Sequence, residues 1–299
     1  MKRRAFLLTA GAAAAWTTLS ARPVLAQTRK PKVLYFTRGA FEHDPVKRQG
    51  RQLALSERLF TEWGQKAGFD VECSKDGRLF DRDLGKYDLF AFYTCNNLHE
   101  PDGHGNPPMS GDGLKRLLDA VAAGKGFVGF HSAADTFHSG RADQVQKEPH
   151  PYVAMMGGEF ISHGHQQEVT LPVTSASFPG VAAMGKAPRF LDEWYSLKNF
   201  AANLHVILLQ ETQGMTDWCY QRPPYPATWA RTHGKGRVFY SSFGHRDDIW
   251  TNPLVNALFL GGIAWALGRV DVDIAPNLAQ AAPQADRLPK FPPPAKPKA

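Results

Sequence analysis

Apolar runs and segments with helical spacing alternate along the first half of the chain. The runs rich in β-branched and aromatic residues cover 32–39, 69–73, 87–93 and 126–131. Between them, residues 51–68 and 113–123 place apolar side chains three or four positions apart, which is the spacing of an amphipathic helix. Strands that are apolar on both faces and separated by helices predict a mostly parallel sheet covered by helices on either side.

The second half of the chain is less regular. Two further strands are predicted, over 168–174 and 205–212. Residues 227–245 read as a hairpin that turns at 234–236. A closing helix over 252–268 has Asn252 as its cap, with a proline at the first helical position and a glycine just past the end. No internal repeat is present, so the pattern predicts one domain over residues 31–270.

The two ends of the chain differ from this domain. Residues 1–26 begin with a basic part that contains Arg3 and Arg4, continue with an apolar part and end with small residues. This order is typical of a twin-arginine-type signal peptide cleaved after Ala26. A retained membrane anchor is the alternative, although the apolar part is shorter than the roughly 20 residues that a spanning helix needs. We therefore expect a periplasmic or secreted protein with no membrane span after cleavage. Residues 271–299 are rich in proline and alanine and predict a disordered tail.

Charge and cysteine usage exclude several classes of function. The formal net charge is +7, but basic residues outside 31–270 account for it, and the remaining 25 basic and 25 acidic residues balance. A nucleic-acid partner is therefore not expected. The three cysteines, Cys73, Cys95 and Cys219, form no Cys-x-x-Cys pair, which argues against a zinc ribbon or a redox motif.

One histidine ends a strand that otherwise consists of core residues. His131 follows the apolar run 127–130 and stands in the pattern Gly-x-His-x-Ala. The pattern is similar to the nucleophile elbow, a tight strand-to-helix turn that projects its central residue into a site. An imidazole there can act as a general base, a general acid or a metal ligand. A buried structural histidine is the alternative.

Other imidazoles and carboxylates follow predicted strands at the same edge of the sheet. Ligands of open parallel sheets bind beyond the carboxyl ends of the strands, so these side chains are candidates for one site. His163 and His165 are two positions apart, which suits a metal if that segment is extended. The other candidates are His43, Glu193 beside Asp192, and His245.

Five motifs together resemble the ThuA-like family of trehalose-utilisation proteins. They are AFEHD (40–44), GKGFVGFHSAADTF (124–137), MMGGEFISHG (155–164), DEWYSL (192–197) and PATWARTHGKGRVFYSSFGH (226–245). The resemblance covers about 31–270. It implies a flavodoxin-like three-layer sandwich of the class I glutamine amidotransferase-like type, with a mostly parallel central sheet. Because no cysteine stands at the elbow, we do not expect a glutaminase.

The resemblance also implies a function and a site. The implied function is that of an enzyme that acts on sugars or glycosides, such as keto-disaccharides, by histidine and glutamate acid–base chemistry or with a metal. The implied catalytic residues are His43, His131, Glu193 and His245. The implied metal is a divalent cation, with zinc as the first candidate. Its ligands would be His43, His131, His163 and His245.

Three aromatic residues lie near these motifs. Trp194, Tyr195 and Trp229 are candidates for stacking on sugar rings, and core packing is the alternative. The alternative to an enzyme is a non-catalytic carbohydrate-binding or interaction domain. The sequence leaves the exact substrate, the reaction type and the oligomeric state open.

Overall fold

The computed structural model describes residues 29–292. The predicted signal peptide over 1–26 lies outside the described residues. Eleven strands occur in the described part, in chain order β1 (Lys32–Phe36), β2 (Asp70–Ser74), β3 (Leu89–Phe92), β4 (Gly126–Phe130), β5 (Glu159–His163), β6 (Gln167–Thr170), β7 (Arg189–Asp192), β8 (Tyr195–Lys198), β9 (His205–Gln210), β10 (Tyr225–His233) and β11 (Gly236–Ser241).

Six α-helices connect or flank these strands in the described part of the chain. They are α1 (Leu55–Ala67), α2 (Gly111–Ala122), α3 (Pro151–Met156), α4 (Asp247–Thr251), α5 (Pro253–Ala266) and α6 (Leu278–Ala281). As predicted, the Asn252 side chain caps α5 by accepting from the backbone amide of Leu254, and Pro253 begins the helix. The sequence patterns for α1, α2 and α5 thus give these helices to within a few residues.

Seven strands form the central sheet in the order β2-β1-β3-β4-β11-β10-β9. Strands β2, β1, β3, β4 and β11 pair in parallel, and β10 runs antiparallel to both of its neighbours. The predicted α/β fold with a mostly parallel sheet is confirmed. The β10–β11 hairpin also forms, with His233 paired to Gly236 across the predicted turn.

Both faces of the sheet are covered by apolar side chains. Successive residues of a strand point to opposite faces, and in β1 Val33 and Tyr35 enter one hydrophobic cluster while Leu34 and Phe36 enter the other. Buried side chains of α1 and α5 belong to the first cluster, and those of α2 and α3 to the second. Because the sheet is enclosed, its exposed groups lie at the strand ends and in the loops.

Two small antiparallel sheets stand beside the main one. Strand β5 pairs with β8, and β6 pairs with β7. Only β6 among these four was predicted from the sequence, because β5 (EFISH), β7 (RFLD) and β8 (YSLK) mix polar and apolar residues and lack the apolar runs that mark the strands of the parallel sheet. These strands matter for the site, since Glu193 lies in the link between β7 and β8.

The segment after residue 270 differs from the predicted disordered tail. Asn277 bridges the edge strand β9: its backbone amide donates to the Leu204 carbonyl (3.0 Å) and its side chain accepts from the Val206 amide (2.6 Å). Ala282 and Ala285 are buried. For residues 271–292 the prediction was wrong, because a composition rich in proline and alanine does not reveal that β9 needs a covering segment.

Among the described residues, none of the helices combines the length and the hydropathy needed to cross a bilayer.

Candidate functional site

Four side chains from distant parts of the sequence meet beyond the carboxyl ends of the central strands. His43 lies in the loop after β1, His131 directly follows β4, and His245 lies in the loop after β11. Glu193 comes from the link between β7 and β8. One donor atom from each of the four lies within 4.8 Å of the others.

Glu193 lies between the imidazoles of this cluster. Its Oε1 is 3.2 Å from His245 Nδ1 and 3.6 Å from His131 Nε2. The His43 ring centroid is 5.0 Å from that of His131 and 5.1 Å from that of His245. His131 Nε2 and His245 Nδ1 are both buried and make no hydrogen bond.

The backbone turns sharply at His131, as the elbow pattern predicts. His131 has φ 43°, in the left-handed region that few residues other than glycine adopt. Its neighbours must be small: a Cβ at Gly129 would lie 3.2 Å from Ala133 Cβ and 3.1 Å from Tyr240 Cδ2. The bend places the His131 ring, which is fully buried, in the cluster.

A backbone carbonyl fixes the tautomer of His131. Its Nδ1 lies 2.9 Å from the carbonyl oxygen of Ser242, which can only accept, so Nδ1 carries the proton. The lone pair of the neutral ring is then on Nε2, the atom that faces Glu193. Metal-binding histidines in proteins are commonly oriented in this way by a bond from the other ring nitrogen.

A buried lysine holds the loop that carries His43. Lys75 Nζ donates to the carbonyls of Thr37 (2.7 Å) and Val46 (2.9 Å) and pairs with Glu42 (2.7 Å). These contacts join the two ends of the loop on either side of His43. No sequence pattern marks Lys75, because its role depends on carbonyl groups that are remote in the chain.

Asp192 holds the loop that carries His245. Its fully buried carboxylate accepts hydrogen bonds from the backbone amides of Gly244 (2.9 Å), Arg246 (3.2 Å) and Glu193 (2.9 Å). The two residues that flank His245 are thus tied to the residue that precedes Glu193. The Tyr93 hydroxyl donates a hydrogen bond to the Gly244 carbonyl (2.9 Å). No sequence pattern indicated this role of Tyr93.

Burial and neighbouring charges shift the pKa values within the cluster. Burial, with the imidazoles of His131 and His245 beside it, lowers the pKa of His43 to about 3, so this ring is neutral at physiological pH. Burial alone would raise the pKa of Glu193, but His131 and His245 outweigh it and lower that pKa. Burial opposes the charge on His245, yet Glu193 raises its pKa overall.

The cluster opens to solvent at His245, whose side chain is 24% exposed. A cleft of about 340 Å³ begins there, lined by polar and charged side chains: Asp44, Gln166, His245, Arg246, Asp247 and Asp248. A small molecule rich in hydroxyl groups could therefore reach the donor atoms from this side.

The structure places two groups of candidates differently from the sequence analysis. His163 is outside the four-donor cluster: its Nδ1 contacts the other oxygen of Glu193 (3.2 Å), and the side chain is 44% exposed. Its neighbour His165 contacts Asp217 instead.

The three aromatic candidates are core residues rather than an exposed stacking surface. Trp194 and Trp229 are fully buried and donate from Nε1 to the carbonyls of Gln167 and Met156, both at 2.9 Å. Tyr195 is 2% exposed, and its ring packs on His131 with centroids 4.2 Å apart. Their positions on or beside short strands direct them inward, so none can stack on a ligand from solvent.

Fold and site together define an α/β protein with a mostly parallel sheet and a cluster of histidines and a carboxylate at the strands' carboxyl ends. A sequence model of the ThuA family, described as trehalose utilisation, matches residues 32–266, and the chain belongs to this family. Comparison with curated protein sequences gives no match.

Two solved structures share the fold. A putative ThuA-like protein from Parabacteroides merdae is 19% identical with a TM-score of 0.54, over 82% of this chain and 93% of that one. A putative ThuA-like protein from Bacteroides uniformis is 17% identical with a TM-score of 0.56, over 79% and 91%. At this level of identity the likeness concerns the fold alone.

Proposed function

We propose that this protein is an exported enzyme that acts on a sugar or glycoside with the help of a divalent metal held by His43, His131, Glu193 and His245. One observation carries the proposal: these four donors converge within 4.8 Å, and His43 Nδ1, His131 Nε2 and His245 Nδ1 are buried without a hydrogen-bond partner. The trehalose-utilisation family supports the substrate class.

The donor set fits a metal such as zinc. Buried polar atoms normally have partners, and three buried ring nitrogens without any would be costly unless a cation lies among them. Imidazole nitrogens with one carboxylate oxygen are a ligand set that zinc accepts. A bound divalent metal would supply Lewis acidity toward a carbonyl or hydroxyl oxygen of the substrate.

The protein's own residues prepare this site in distinct ways. His43 stays neutral and keeps a free lone pair, and Ser242 fixes the proton of His131 on the far nitrogen. Glu193 is ionised and balances positive charge in the cluster. His245, whose Nδ1 lies 3.2 Å from Glu193 Oε1, would complete the ligand set on the side of the cluster that opens to the cleft. Asp44 and Asp247 line the cleft and can accept hydrogen bonds from sugar hydroxyls.

The proposal does not include glutaminase activity. The elbow residue is His131, and the cysteines lie elsewhere. Burial raises the pKa of Cys73 and of Cys95 to about 12 and that of Cys219 to about 11. Such thiols are protonated at neutral pH and are weak nucleophiles.

We propose further that the layers follow the flavodoxin-like arrangement of class I glutamine amidotransferases. The packing of α1 and α5 on one face of the sheet, and of α2 and α3 on the other, supports this.

The test combines metal analysis with a search for product. Protein purified without chelator should contain about one equivalent of a divalent metal, and it should convert a member of a keto-disaccharide and glycoside panel, detected by mass spectrometry. Less than about a tenth of an equivalent after incubation with zinc would contradict the metal-assisted form of the proposal. Saturable sugar binding with no product would favour the non-catalytic carbohydrate-binding alternative.

A further inference from the structure

We propose that His163 is a positioning residue for the metal site: it holds one oxygen of Glu193, so that the other oxygen is presented to the cation. This inference rests on the proposed function and adds a residue to it. The family resemblance implied that His163 is itself a ligand. The structure instead places it beside Glu193 and outside the four-donor cluster.

The two carboxylate oxygens of Glu193 have different neighbours. Oε1 lies 3.2 Å from His245 Nδ1 and 3.6 Å from His131 Nε2. Oε2 lies 3.2 Å from His163 Nδ1. A carboxylate can bind a cation through one oxygen or through both. Because Oε2 has its own neighbour outside the cluster, the arrangement favours binding through Oε1 alone.

The surroundings of His163 fix the proton of its ring on Nδ1. This atom lies 3.1 Å from the carbonyl oxygen of Gly164 and 3.2 Å from Glu193 Oε2. A carbonyl oxygen and an ionised carboxylate only accept hydrogen bonds, so Nδ1 carries the proton. The N–H group therefore turns a positive partial charge toward Oε2. It holds the carboxylate in this orientation, since a rotation of the group would separate Oε2 from the N–H.

Aromatic neighbours hold the plane of the His163 ring. In the β5–β8 ladder His163 is paired with Tyr195, and the two rings are stacked with centroids 5.9 Å apart. The ring of Phe160 lies 6.1 Å from that of His163 on the same strand. The side chain is 44% exposed, and an exposed imidazole without such packing could adopt several rotamers. The packing therefore keeps the ring beside Glu193.

One buried tyrosine ties the backbones of the two residues together. The Tyr220 hydroxyl accepts from the backbone amide of Gly164 (2.8 Å) and donates to the carbonyl of Trp194 (2.5 Å). Gly164 follows His163 in the chain, and Trp194 follows Glu193. Main-chain contacts thus set the distance between the imidazole and the carboxylate, which distinguishes this pair from two surface side chains that meet by chance.

The experiment compares the zinc affinity of variants at position 163. The dissociation constant is measured by competition between the zinc-loaded protein and a chelator of known affinity. His163→Phe keeps a ring that can pack on Tyr195 but has no N–H group, and we expect it to bind zinc roughly tenfold or more weakly. His163→Asn places a side-chain N–H close to the position of Nδ1, and we expect its affinity to stay within about threefold of the wild type.

Cobalt(II) in place of zinc reports on the coordination itself through its visible absorption spectrum. We expect His163→Phe to change this spectrum, because a carboxylate that is free at Oε2 can bind through both oxygens. His163→Asn should keep the wild-type spectrum. A residue that only stabilised the fold would lower the free energy of unfolding without changing the cobalt spectrum.

His165→Ala is the matched control. His165 lies two positions further along the chain, its side chain is 89% exposed, and its Nδ1 contacts Asp217 instead. This variant should bind zinc as the wild type does. Equal zinc affinity in His163→Phe and the wild type would overturn the positioning role. So would a His163→Asn protein that binds zinc as weakly as His163→Phe, since the N–H group would then not be what matters. Failure of the wild-type protein to hold zinc would instead contradict the proposed function, so the two failures are distinguishable.

Discussion

Two buried histidines of this protein differ in how their ring nitrogens are used. His205 has a partner on both, the Ala275 carbonyl at Nδ1 and the Ser175 hydroxyl at Nε2, each at 2.8 Å. His131 has a partner on Nδ1 alone, and its Nε2 faces the cluster. A neutral imidazole has one donor and one acceptor, so His205 is satisfied as a structural residue and His131 keeps an acceptor for a ligand.

Replacing His131 should abolish the function of the site while lowering the stability of the fold only slightly. We expect His131→Asn to lose zinc binding and turnover, since a buried donor atom is removed while asparagine tolerates the left-handed backbone. The free energy of unfolding of the metal-free protein should fall by only about 1–2 kcal/mol. Metal analysis and urea unfolding measure the two effects.

His205→Asn is the matched control for this experiment. It should lower the free energy of unfolding by about 1–3 kcal/mol through its two lost hydrogen bonds while the protein still binds zinc. If His131→Asn retained a full equivalent of zinc, or if both variants lost zinc equally, a specific ligand role for His131 would be wrong.

The packing of helix α5 against a neighbouring segment depends on one glycine of the helix. A Cβ on Gly261 would overlap the backbone carbonyl group of Pro179, in the segment that packs against the helix. Backbone atoms cannot move aside as the end of a flexible side chain can. The helix therefore approaches this segment only because position 261 is glycine.

We predict that Gly261→Ala lowers the free energy of unfolding by about 2–3 kcal/mol, although alanine is the better helix former. The comparison is Gly111→Ala at the start of α2, where a new Cβ would have no neighbour within 4 Å. That change should leave stability within about 0.5 kcal/mol of the wild type. Equal stability of the two variants in urea unfolding would show that α5 can shift to make room.

At the scale of the whole molecule, His138 links the turn after β4 to strand β5. Its Nε2 lies 2.9 Å from Asp135 Oδ1, and its Nδ1 lies 3.4 Å from Glu159 Oε1 in β5. The hydrogen bond to Asp135, and then that to Glu159, raise the pKa of His138 to about 9. The protonated imidazole therefore joins the turn after β4 to the small β5–β8 sheet.

This link predicts a pH dependence of stability. Because the folded pKa is raised above the ordinary value of about 6.5, the contribution is complete below pH 6.5 and is lost as the pH rises through about 9. The side chain is 42% exposed, so solvent screening limits the effect to about 0.5–1 kcal/mol. Urea unfolding at pH 6 and pH 9.5 should show this loss in the wild type.

His138→Gln should unfold with a correspondingly smaller loss between the two pH values, since glutamine keeps a polar side chain but does not titrate. An identical pH dependence in the variant and the wild type would mean that the charge on His138 does not stabilise the fold.

Sequence patterns were most informative where helices have distinctive ends and where strands are continuous apolar runs. The helices α1, α2 and α5 and the strands of the parallel sheet follow from periodicity and caps such as Asn252. Strands β7 and β8, which mix polar and apolar residues, have no such signal, and the packing of residues 271–292 depends on the partner strand β9. The burial of Trp194 and Trp229 was likewise unpredictable, because it depends on which face of a short strand meets the core.

By itself, the sequence determined the alternation of strands and helices, the family, and the set of imidazoles and carboxylates that follow strands. Local rules suffice for these features, since hydrophobic period, caps and turn residues act over a few positions. The tertiary structure alone decided that His43, His131, Glu193 and His245 share one cluster while His163 stands at its edge. It also decided that Asp192 and Lys75 hold the loops of that cluster, because hydrogen bonds between residues remote in the chain depend on how the whole sheet is assembled.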